Sequence, residues 1–114
     1  MSDPIAKAPR INELEWLQTY YLSMCDGDWE HGYGFEIGTL DNPGWHFKFD
    51  IADTSLEGVE FNEVVFERTD NDWVHCRLEG NNFKAYCGPK NLTEVISIFR
   101  TWVESARPNE VGNV

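Results

Sequence analysis

Trp45, Phe47, Phe49 and Ile51 alternate with His46, Lys48 and Asp50 along one unbroken stretch of chain. A period of two sends the apolar set to one side of a strand and the polar set to the other. Just before it, Tyr33, Phe35, Ile37 and Thr39 alternate in the same way with Gly34, Glu36 and Gly38. Asp41-Asn42-Pro43-Gly44 lies between the two, Pro fixing one φ angle and Gly supplying a positive one. Strands joined by so short a turn pair antiparallel, so this region is a hairpin. Val64 and Phe66 belong to a third strand and Trp73 to Leu78 to a fourth, with Thr69-Asp70-Asn71-Asp72 turning between them. Glu79-Gly80-Asn81-Asn82 then turns into a fifth short strand over Phe83 to Cys87. The connections are too short for βαβ crossovers, and the strands read as an antiparallel meander.

Both flanks of this region change period. Asn12-Glu13-Leu14-Glu15 is a capping-box pattern. Leu14, Leu17, Tyr21 and Met24 follow at helical spacing, widened by Trp16 and Tyr20. A helix is expected over 12–24, ended by the Asp26-Gly27-Asp28 turn. Asn91-Leu92-Thr93-Glu94 repeats the capping box, and Leu92, Val95, Ile96, Phe99, Trp102 and Val103 give a second apolar helical face reaching to about residue 106. The expected fold is therefore α+β: an antiparallel sheet of about five strands flanked by an N-terminal and a C-terminal helix, both on one face. Residues 1–11, with Pro4 and Pro9, read as an irregular lead-in, 12–107 as one domain, and 108–114 as a tail beginning at Pro108.

A chain of 114 residues with a 14% aromatic share has the length for one domain and the side chains for its core. No run of 18 apolar residues spans a membrane, and Met1-Ser2-Asp3-Pro4 does not open a secretory signal. Cys25, Cys76 and Cys87 are odd in number, without C-x-x-C spacing, and read as idle thiols in a reducing cytoplasm. The formal net charge of -11 argues against nucleic acid as a partner, because phosphate binding needs a basic surface.

All of that charge lies in the centre. Residues 26–79 hold 14 acids against Lys48, Arg68 and Arg77, and the rest of the chain is neutral. Such a segment is either a solvated surface or an electrostatic face for a basic partner. The densest polar string is Cys25-Asp26-Gly27-Asp28-Trp29-Glu30-His31-Gly32. Asp26, Asp28 and Glu30 imitate the start of a calcium loop, but His31 stands where Gly is required and Ile37 where Glu is. One His with carboxylates falls short of a zinc set. A helix-exit loop whose carboxylates satisfy backbone N–H groups is the plainer account. Cys25 is followed by acids, which disfavour a thiolate. Cys87 precedes Gly88-Pro89-Lys90, a weak anion signal, and no P-loop or nucleophile elbow occurs. These strings carry no enzyme motif and call for no cofactor or metal.

Leu14-Glu15-Trp16-Leu17, the Cys25–His31 string and Thr39-Leu40-Asp41-Asn42-Pro43-Gly44-Trp45 resemble the immunity protein 53 family. Asn71-Asp72-Trp73 and Gly88-Pro89-Lys90-Asn91-Leu92 fit the same pattern, so the resemblance spans about 12–103. It implies a small bacterial protein, encoded beside a toxin of a polymorphic or contact-dependent system, that neutralises that toxin by binding it. It supplies no catalytic residue. Joined to the charge map, it leads to an expected acidic face built from residues 26–31 and the 41–50 hairpin. Asp26, Asp28, Glu30, Asp41 and Asp50 would pair with a basic toxin, a nuclease being one such, with His31 in the same string and Trp29 or Trp45 as apolar anchor. The rival expectation is a small enzyme or metal-dependent hydrolase centred on Asp26, Asp28, Glu30 and His31.

Overall fold

The computed structural model describes residues 11–106. The expected tail over 108–114, and the lead-in apart from Ile11, lie outside the described residues. Helix α1 runs Glu13–Met24 and short helix α2 Trp29–Gly32. Five strands follow: β1 Phe35–Leu40, β2 Gly44–Asp50, β3 Val64–Thr69, β4 Asp72–Glu79 and β5 Asn82–Cys87. Helix α3, Leu92–Ala106, closes the fold. This is the expected α+β architecture, an antiparallel five-stranded sheet with a helix at either end of the sequence. The Asn12 side chain caps α1 by accepting the Glu15 amide at 2.8 Å, as its spacing requires.

The strand order departs from a meander. It is β1-β2-β5-β4-β3, every neighbouring pair antiparallel. The segment after β2 carries the chain to the far edge instead of to β2's flank. Along the way it buries Leu56 and sets Phe61 against Phe83 and Trp102. The physical reason lies in the strands' faces. In β5, Phe83, Ala85 and Cys87 are all buried, which suits a central strand, whereas β3 is exposed from Val65 to Thr69 and suits an edge.

Both helices pack on one face of the sheet. Phe99 of α3 sits at the centre, its ring 5.4–5.8 Å from Phe35, Phe47 and Phe49 and 5.1 Å from Phe83. Tyr20 of α1 packs edge-on against Phe35, Phe49 and Phe99. Helix α1 is turned relative to the expected stripe. Leu17 and Tyr20 are buried, with Trp16 and Met24 against the core, while Leu14 and Tyr21 stay exposed. The large rings on the Trp16–Tyr20 side fill more of the space above the sheet, which fixes the roll of the helix.

Candidate functional site

An all-antiparallel sheet sorts its connections by parity. The 25–34 segment enters β1, 50–63 leaves β2 and enters β3, and 79–81 joins β4 to β5, all at one end of the sheet. These three segments hold Asp26, Asp28, Glu30, Asp50, Asp53, Glu57, Glu60, Glu63 and Glu79, and no Lys or Arg. The sheet thus has an acidic end. A crevice of about 260 Å³ opens there between Asp26 and Trp29 on one side and Asp53, Thr54 and Ser55 on the other.

The expected site residues do not form a single patch. Asp26, Asp28, Glu30, His31 and Asp50 belong to the acidic end, but Asp41 lies in the β1–β2 turn at the opposite end. Six-residue β1 separates them by roughly 17 Å. Trp45 turns toward the helices and donates from Nε1 to the Pro89 carbonyl at 3.0 Å. Trp29 is only 7% exposed and packs on Tyr33 and Phe49. It is a core residue, so of the two expected anchors only half-buried Trp45 presents any surface. The solvent side of the 41–50 hairpin is mixed in charge, with Asp50 beside the cations and Glu36 on the paired strand. It carries His46 and Lys48, with Lys84 and Arg77 in register on the next two strands. Glu36 faces Lys48 at 3.9 Å, and Glu79 bridges Lys84 and Arg77, each at 2.8 Å.

Within the 25–32 string, the carboxylates hold the loop itself. Asp26 Oδ1 accepts the amides of Asp28 and Trp29, each at 2.9 Å. Glu30 accepts those of Asp26 and Gly27 at 3.0 and 2.9 Å, one on each oxygen. Gly27, at φ +91°, supplies the left-handed step that lets these four amides converge. The Trp29 and Asp28 amides hold the Asp26 carboxyl below its ordinary range. Glu30 is likewise lowered, by its own amide and by those of Asp26 and Gly27, against a desolvation that pushes the other way. Asp28 makes no capping bond and is exposed, as are Glu60 and Glu63.

Sequence reasoning missed the second loop of this end. Asp53 stands at φ +63°, accepts the Tyr33 hydroxyl at 3.1 Å and has its amide held by Glu57 at 2.9 Å. Strand parity was the signal that places 50–63 beside 25–34. Among the described residues no three His, Cys, Asp or Glu side chains are grouped to hold a metal ion. Cys76 and Cys87 are buried free thiols, pushed up by that burial to about 12 and about 11, which makes them poor nucleophiles at neutral pH. No helix of the described residues is long and apolar enough to cross a membrane.

The family model described as Immunity protein 53 matches residues 14–104, which include most of α1, all of α2 and the five strands, and most of α3. No curated protein sequence and no solved structure matches.

Proposed function

From the premise that the chain belongs to the immunity protein 53 family, we propose that it binds a cognate toxin and neutralises it through the acidic end of its sheet. Membership implies a toxin partner and, in general, a role other than catalysis. The finer reading rests on charge. Three converging segments with nine carboxylates and no Lys or Arg suit a basic partner, and attraction between such surfaces speeds encounter. A nuclease is one such toxin, since it must hold a polyanion, and a carboxylate array competes with phosphates for the same cations. Asp26 and Glu30 act as carboxylates fixed in place by backbone amides, which lowers the ordering cost of pairing them with a cation. Asp28, Glu60 and Glu63 add exposed charge around them. His31 and Asp50 lie in the same three segments, whereas Asp41 and Trp45 meet the toxin only if it reaches along β1.

The test is co-expression with the neighbouring gene, followed by purification. Rescue of growth together with a stoichiometric complex supports the proposal. Toxicity that persists, with no complex recovered, contradicts it for that pair.

A further inference from the structure

We infer that the outer edge of β1, which no other described strand pairs with, takes a strand of the partner toxin in which apolar side chains alternate with Lys or Arg, a binding mode that rests on the toxin-binding reading above. The two edges of the sheet are built differently. Edge strand β3 shifts register between Glu67 and Thr69, and its Arg68 is tied to Asp72 and Glu94 at 2.8 and 2.7 Å. Such bulges and tethered charges blunt an edge against pairing. Edge strand β1 has no such bulge, and its one charge, Glu36, meets only Lys48 on the neighbouring strand, at 3.9 Å. It keeps unbroken register with β2 from Phe35 to Leu40, contains no Pro, and leaves Ile37 40% exposed.

The surroundings of β1 specify what would lie there. On the helix side, a groove of about 360 Å³ runs between α1 and the start of the strand, lined by Leu17, Gln18, Tyr21, Tyr33, Gly34 and Phe35. Leu14 and Tyr21, two helical turns apart on α1, are 57% and 42% exposed, an apolar stripe that the core leaves uncovered. On the other side of the strand stands Glu36. From residue 25 to residue 43 the chain holds Asp26, Asp28, Glu30, Glu36 and Asp41, and no Lys or Arg. A strand added to β1 would send every second side chain toward the groove and the others toward the face of Glu36, with Asp26, Asp28 and Glu30 near one of its ends and Asp41 near the other. A second copy of this chain fits poorly, because its own β1 offers Glu36 and no cation, and both copies carry a net charge of -11. The edge also joins the two halves of the expected site, with Asp26, Asp28 and Glu30 off one end of β1 and Asp41 off the other.

The probe is the peptide Lys-Val-Lys-Val-Lys-Val-Lys, added to isotope-labelled chain and followed by amide exchange and NMR shifts. Its control has Pro in place of the middle Val, which cannot pair along a strand. Amides at alternate positions of Glu36–Leu40 are expected to slow on the order of tenfold with the probe, not with the control, and Tyr21 and Phe35 are expected to shift. An Ile37→Lys variant is expected to lose this protection while keeping its thermal midpoint. Shifts confined to the acidic loops, with β1 exchange unchanged, would overturn the edge mode and leave the toxin-binding reading standing. Absence of binding would overturn it as well. So would β1 amides already protected in the free chain at the mass of a dimer. The edge mode thus stands or falls apart from the growth-rescue result.

Discussion

Glu30 accepts the amide of Asp26 at 3.0 Å, while Asp26 in turn accepts the amides of Asp28 and Trp29 just ahead of Glu30. Each carboxylate closes the loop from which the other projects. Glu30→Ala is expected to expose the Asp26 and Gly27 amides and speed their exchange, with the sheet unaffected. Both carboxyls titrate below their ordinary range in the fold. Their stabilisation is therefore complete above the ordinary carboxylate range and is lost as pH falls through the lowered values. Amide exchange at Asp26 and Gly27 across acid pH checks the direction.

Trp29 and Trp102 are both 7% exposed, yet they differ in one bond. Trp102 Nε1 donates to the Glu60 carbonyl at 3.0 Å, whereas Trp29 Nε1 is buried with no acceptor. An unmet buried donor costs about 1–3 kcal/mol, which Trp29→Phe removes as it shrinks the ring. Trp102→Phe instead leaves the Glu60 carbonyl without that donor. Urea denaturation should show the larger loss for Trp102→Phe.

Arg100 is buried beside Glu13 at 2.6 Å and Glu104 at 3.1 Å, and it donates to the Ile11 carbonyl at 3.0 Å. It ties α3 to α1 electrostatically. Arg100→Ala leaves Glu13 without that counter-charge and is expected to cost about 3 kcal/mol by chemical denaturation. Arg100→Lys keeps the charge but not the fork geometry and should lose less.

Glu79 is held down to about 2, first by Lys84 and then by Arg77. A depressed carboxyl contributes stability at neutral pH that fades as pH drops from the ordinary Glu value toward about 2. Carbon-detected NMR titration should give Glu79 a midpoint well below the ordinary Glu range. Glu79→Gln should remove that low-pH transition.

Much of this fold is written in local pattern. The period-two run at Trp45–Ile51 and the capping boxes at Asn12 and Asn91 give strands and helices within a residue or two of where they lie. Short helix α2 escaped because four residues cannot display a helical period. Strand order escaped because adjacency along the chain is only a tendency, and the polarity of β3 is a quieter signal than hairpin spacing. For the site, the charge count located the acids but not their grouping. Composition cannot separate Asp41 from Asp26, whereas strand parity does. Trp29 shows the same limit: its acidic neighbours made it a candidate anchor, while its ring turns inward onto Phe49.

The central claim is that carboxylates at one end of the sheet capture the toxin. Its most direct test is the association rate with the co-purifying toxin, followed against salt for the wild type and for an Asp28→Lys/Glu60→Lys/Glu63→Lys variant. These three side chains are exposed, and none accepts a hydrogen bond from the 25–34 or 50–63 backbone. The account predicts wild-type association that slows steeply with salt, and a variant that folds normally but associates at least about tenfold more slowly at low salt. Equal rates for the two proteins, flat with salt, would contradict it.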